Sequence, residues 1–239
     1  MKKIQYIILL LAGTAMLASC SKINGKGDVV TEERTLGNCT GISLAMDAYV
    51  TYAPDTAYSL VIQGQQNILD RIKTNVENGT LVIKYEDHVR IGTHDQITAV
   101  IRGPGVTRLD ISGSGNMTVD EPWDIYSARL NISGSGNISV AVLNGHDLEA
   151  TISGSGNIKG HSGNCKTETL TISGSGNIDV IGIQADTAYA NISGSGDIKL
   201  AVSDYLHATI SGSGNIRYFG NPIIVTNISG SGTVSYIQP

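Results

Sequence analysis

The chain predicts an all-β protein built as a parallel β-helix, and three observations predict it. The pentapeptide Ile-Ser-Gly-Ser-Gly occurs seven times, beginning at Ile111, Ile132, Ile152, Ile172, Ile192, Ile210 and Ile228, in steps of 21, 20, 20, 20, 18 and 18 residues. Self-similarity at that period marks a solenoid, in which each coil buries its apolar face only against its neighbours. Around each copy the apolar residues alternate, as in Leu130, Ile132, Ile138 and Val140 against Asn131, Ser133, Ser135, Asn137 and Ser139. A period of two is a strand period. The chain also has one Trp and one Phe in 239 residues. Stacked Ile, Val and Leu must therefore fill a narrow core that most domains fill partly with rings.

The elements follow in order. Lys2 and Lys3 precede a short apolar run that ends in Leu17-Ala18-Ser19-Cys20. This reads as a lipoprotein signal peptide over residues 1–19 with Cys20 as the lipidated residue. Ser21 is not the aspartate of inner-membrane retention, which favours the outer membrane and leaves its periplasmic or surface face open. Residues 20–28 read as a flexible tether and 29–239 as the β-helix domain. Within it, 29–110 are irregular first coils with strands near 41–52, 58–63, 80–85 and 96–102 and a helical turn near 65–71. The seven repeats fill 111–239. About ten to eleven coils result, roughly 50 Å long at the strand spacing. The step from 20 to 18 residues should arise on the loop side and not at the Gly-Ser-Gly corner.

A propeller blade needs about 40 residues, whereas one repeat here has about half that. Identical residues at identical phase also favour parallel stacking. Ile then lies on Ile in one buried column. Ser133, Ser135 and Asn137, Ser153, Ser155 and Asn157, and Ser173, Ser175 and Asn177 form exposed hydrogen-bonded ladders, the candidate binding surface.

The run Ile-Ser-Gly-Ser-Gly-Asn-Ile, with Asn67-Ile68-Leu69 and Gly79-Thr80-Leu81-Val82-Ile83 before it, resembles the putative auto-transporter adhesin head GIN domain family over residues 35–239. The resemblance implies a right-handed parallel β-helix (β-solenoid) of about 18–21 residues per coil, in a secreted or lipid-anchored bacterial protein. Asp197 and Thr233 stand where the repeat otherwise has Asn. No autotransporter barrel pattern follows the repeats.

Charge and motifs exclude several functions. The formal charge of −5 becomes −7 once Lys2 and Lys3 leave with the signal peptide, which argues against a nucleic-acid partner. Gly-Ser-Gly lacks the third glycine and the helix of a dinucleotide site. Calcium solenoids need an aspartate in each half-coil, and only Asp197 sits at the matching turn. Asp179, Asp186 and Asp204 do not share one phase, as a carboxylate pair for polysaccharide cleavage requires. No cofactor is expected. His88 and His94, beside Glu86, Asp87 and Asp95, are weak metal candidates without compact ligand spacing. His146, His161 and His207 fall in separate coils. Cys39 and Cys165 should be free thiols, because several coils separate them. Asp55-Thr56-Ala57 and Asp186-Thr187-Ala188 match an envelope O-glycosylation acceptor.

The leading functional expectation is therefore a non-enzymatic cell-envelope lipoprotein, an adhesin with a glycan or protein ligand and the membrane as partner through its lipid. An assembling envelope scaffold is the alternative, and a polysaccharide-active enzyme the weaker one. The uncharged run Thr233-Val234-Ser235-Tyr236-Ile237 ends the repeats as an unprotected strand, which points to a homo-oligomer.

Overall fold

The computed structural model describes residues 22–238. The signal peptide and Cys20 lie outside the described residues. The chain forms one 17-stranded sheet wound into a parallel β-solenoid of about six turns. This is fewer than the ten to eleven coils expected, because most of the N-terminal third caps the stack instead of lengthening it.

The N-terminal elements are β1 (Val29–Arg34), β2 (Gly41–Leu44), β3 (Tyr49–Pro54), β4 (Ser59–Gln65), α1 (Gln66–Leu69), β5 (Ile72–Glu77), β6 (Thr80–Tyr85) and β7 (Thr98–Gly103). The strand expected over 41–52 is two strands with a corner at residues 45–48. That corner is a degenerate first repeat. Leu44 pairs in register with Ile111, so Ala45-Met46-Asp47-Ala48 takes the place of Ser-Gly-Ser-Gly. The chain then leaves the solenoid after β3 and returns only at Arg108. In between, β6 and β7 lie parallel on β2 and β3. Antiparallel pairings β5–β6, β4–β7 and β1–β4 then turn the edge over. An antiparallel cover ends the parallel repeat and shields its first edge. Within the expected tether, Ile23 bridges Ile91 and Lys26 N–H donates to Asn67 Oδ1.

The regular part comprises β8 (Arg108–Ile111), β9 (Asn116–Ile132), β10 (Asn137–Ile152), β11 (Asn157–Gly160), β12 (Gly163–Ile172), β13 (Asn177–Ile192), β14 (Ile198–Gly212), β15 (Asn215–Phe219), β16 (Ile223–Gly230) and β17 (Thr233–Tyr236). Ile132, Ile152, Ile172, Ile192 and Ile210 stack in register and none is more than 2% exposed, the single buried column expected. Trp123 is buried in the same core, its Nε1 donating to the Val106 carbonyl.

The coil shortens where the reading placed it. Val180 pairs with Leu200, twenty residues on, but Gln184 pairs with Ala201 and Thr187 with Tyr205. Three residues drop out beside Ile183 and one returns near Asp204, while the Gly-Ser-Gly corner keeps its form. The glycines there are required by close approach more than by left-handed backbone. A Cβ on Gly156 would collide with the carbonyl of Gly136 and with Ile132, because the corners stack directly. Among the repeat glycines only Gly212 and Gly230 have positive φ, at 147° and 132°.

The last turn has no cover within the described residues. All eight residues of β16 are exposed. Ile228 continues the isoleucine column yet is 46% exposed, whereas Ile210 beneath it is 1% exposed.

Candidate binding surface

The predicted Ser and Asn ladders stand on the Gly-Ser-Gly corner, and all nine candidate residues are exposed. The asparagines form a continuous chain of side-chain hydrogen bonds. Asn137 Nδ2 donates to Asn116 Oδ1 at 2.7 Å, Asn157 to Asn137 at 2.8 Å and Asn177 to Asn157 at 3.0 Å. Asp197 does not break this chain. Its backbone N–H donates to Asn177 Oδ1, and its carboxylate accepts from Asn215 and from Arg217 Nη1 at 3.0 Å. Burial works against the charged form of Asp197, but these donors outweigh it and hold its pKa below the usual carboxylate range. Thr233 Oγ1 closes the ladder on Asn215 Oδ1. Each amide from Asn137 onward thus spends a donor and an acceptor on its neighbours, which stiffens the corner. The serine backbones bond coil to coil, as in Ser153 N–H to the Ile132 carbonyl, and their hydroxyls face solvent.

The other sequence candidates fall apart in space. His88 is exposed in a turn with φ of 65°. His94 is tied to Tyr85 Oη, to the Asp95 carbonyl and to Asp47. No group of three metal-ligating side chains occurs among the described residues. Asp55-Thr56-Ala57 forms an exposed turn in which Asp55 Oδ1 accepts the Thr56 N–H at 2.6 Å. Asp186-Thr187-Ala188 instead lies inside β13, with Ala188 fully buried and Thr187 paired to Thr167 and Tyr205. Cys39 and Cys165 are free and buried, as expected from their separation along the stack.

A second surface, not singled out by sequence, runs along the side of the solenoid. Three outward columns are set by the parallel register. The first carries Ser127, Asp147, Thr167, Thr187, Tyr205 and Ile223. The second runs from Arg108 through Arg129, Glu149, Thr169, Tyr189 and His207. The third carries Asn131, Thr151, Thr171, Asn191, Thr209 and Asn227. This flank grades from charged at the capped end, through hydroxyls, to a cluster in which Tyr189 meets Tyr205 and His207 at 6.3 Å between ring centroids. Repeat alignment on the isoleucine held the signal for these columns, but their chemistry changes from coil to coil and so escapes a search for identical residues.

Residues 38–222 match the family described as putative auto-transporter adhesin, head GIN domain. No curated protein sequence matches the chain. Several solved structures share the fold. A putative adhesin from Bacteroides fragilis NCTC 9343 superposes with a TM-score of 0.86 at 23% identity, over 90% of this chain and 100% of that one. A putative lipid binding protein from Parabacteroides distasonis ATCC 8503 gives 0.76 at 26% identity, over 91% and 100%. A putative adhesin from Parabacteroides merdae ATCC 43184 gives 0.73 at 22%, over 91% and 99%.

Proposed function

The chain belongs to this adhesin head family, and we propose that it is a non-enzymatic binding module of the outer membrane, held there by a lipid on Cys20. The observation that carries this reading is the flank described above. It is a parallel sheet face whose Thr, Asn and Tyr side chains project from strands held in register by their neighbours. Such a surface binds with little loss of conformational entropy. Tyr, Thr and Asn supply aromatic area and neutral hydrogen bonds, which suits glycans and glycoproteins.

The test is adhesion. Beads coated with the full chain should attach to a glycoprotein-coated surface, release no sugar from it, and lose attachment when soluble chain is added. Beads that attach no better than blank beads, or that release reducing ends, overturn the reading. The anchor is tested separately: Cys20→Ser should move the protein from the membrane to the soluble envelope fraction with its fold intact, and persistent membrane partition would remove the lipid from the account.

A second reading, a self-assembling scaffold, is favoured by one observation. The final coil exposes Ile224 and Ile228, at positions that the coil beneath buries as Leu206 and Ile210.

A further inference from the structure

We propose that the groove where the N-terminal cap meets the first regular turns binds a carboxylated sugar residue; this names the ligand class of the adhesion module and rests on that reading. The groove encloses about 420 Å³ and is lined chiefly by Thr40, Thr107, Arg108, Tyr126, Ser127 and Arg129. That volume suits a small ligand.

The charge arrangement points to an anion. Arg108 and Arg129 are direct neighbours in the β8–β9 register. Their side chains diverge along the stack, and each has one carboxylate neighbour and keeps one free nitrogen. Arg129 turns Nε and Nη2 to one oxygen of Glu149, both at 2.8 Å. Arg108 Nη2 donates to Thr80 Oγ1 at 2.5 Å, and its Nε lies 2.9 Å from Asp110 Oδ2, out of line for a hydrogen bond and so a purely ionic contact. Nη1 of both arginines has no partner among the described residues, and the two side chains are 40% and 53% exposed. These free Nη1 edges can receive a carboxylate, whose geometry guanidinium forks match. Gly41 makes room for the reach of Arg108 to Thr80: a Cβ there would stand 3.2 Å from Arg108 Nε.

The rest of the groove points to a sugar. Tyr126 is 71% exposed, yet its ring is fixed by stacking on His146 at 4.8 Å and 14°. His146 Nδ1 is held in turn 2.9 Å from Asp147 Oδ1. A pre-oriented ring of this kind is a platform for the apolar face of a pyranose and costs little entropy to use. The hydroxyls of Thr40, Thr107 and Ser127 lie alongside, and Thr107 Oγ1 is held by the Thr40 carbonyl at 3.2 Å. They match the hydroxyls that a simple carboxylate lacks.

Titration calorimetry on the full chain in detergent tests the site, with a galacturonate oligomer and a sialylated trisaccharide as probes and lactose and a glutamate-rich peptide as controls. At least one acidic saccharide should bind, more weakly as ionic strength is raised, and whichever probe saturates identifies the sugar. Tyr126→Ala and Arg129→Gln should each weaken binding about ten-fold or more, with the thermal midpoint held, and Tyr126→Phe should retain it. Binding of neither saccharide, equal binding of lactose or of the peptide, or variants that bind like the parent chain overturns the proposal. The bead assay separates the two readings. Beads that attach equally well with Tyr126→Ala leave adhesion standing and remove this groove. Beads that never attach remove adhesion, while the calorimetry still judges the groove.

Discussion

Glu168 occupies the interior position directly in register with Leu148 of the preceding turn. It is fully buried, with Ala188 on its other side, and neither carboxyl oxygen has a hydrogen-bond partner. The Cys165 thiol is close but does not reach hydrogen-bond geometry with it. Burial therefore keeps the acid neutral and raises its pKa well above the ordinary 4.5, and the same burial raises the Cys165 thiol. The folded chain then holds a proton that the unfolded chain releases above about pH 4.5. Stability from this group is complete below that pH and falls by about 1.4 kcal/mol per pH unit as pH rises toward the folded-state value. Glu168→Leu should remove the slope and raise denaturant resistance at neutral pH. Urea midpoints measured from pH 5 to 9 check it; parallel curves for the two proteins would show that the carboxyl is solvated.

The isoleucine column provides its own internal control. Ile172 is fully buried and Ile228 is 46% exposed at the same phase of the coil. Ile172→Asn should cost about 2–4 kcal/mol by burying an unpaired amide. Ile228→Asn should stay within about 0.5 kcal/mol. Chemical denaturation of both variants reads the difference, and equal losses would contradict the exposed last turn.

These columns were legible in sequence because identical residues recur at identical phase, and parallel stacking turns that identity into contact. The cap was not. Its share of the first turn writes Ala45-Met46-Asp47-Ala48 in place of Ser-Gly-Ser-Gly, and the excursion from Pro54 to Arg108 hides that Leu44 and Ile111 are neighbours. A count of coils from chain length then overshoots. Glu168 was concealed differently. In Thr167-Glu168-Thr169 it reads as one polar residue among others, and only alignment with Leu148, Ala188 and Leu206 places it inside. Of the candidate binding surface, the corner ladder was visible as a repeated motif. The arginine pair was not, since it needs the register across two unequal turns and the absent side chain of Gly41.

The asparagine ladder should behave as a structural brace. Asn157→Ala removes the acceptor for Asn177 Nδ2 and the donor to Asn137 Oδ1. On an exposed corner this should cost about 1 kcal/mol. Asp197 adds a pH dependence opposite in sign to that of Glu168. Its folded pKa lies below the ordinary 3.8, so the stability it contributes is present above that pH and is lost as pH falls through the folded value. Acid unfolding of Asp197→Asn should therefore begin from lower stability and show a shallower loss below about pH 4. An unchanged acid limb would mean that the Asn215 and Arg217 contacts do not persist in solution.

The last turn yields a prediction about assembly. From Phe219 to Gln238 there is no charged side chain, whereas the turn before it carries Lys199, Asp204 and Arg217. Charges and bulges normally guard a strand edge against pairing with another molecule. Here the edge strand is neutral, and Ile223, Ile224, Val225 and Ile228 are between 37% and 73% exposed. Two copies meeting at this edge would face no like-charge repulsion and would cover the apolar positions that the earlier turns bury. The full chain in detergent should therefore sediment as a dimer at high concentration and dissociate on dilution. Ile224→Lys with Ile228→Lys should shift it to monomer without lowering its thermal midpoint, since both positions lie outside the packed core. A parent chain that stays monomeric at every concentration, or a double variant that still dimerises, would leave the edge without this role.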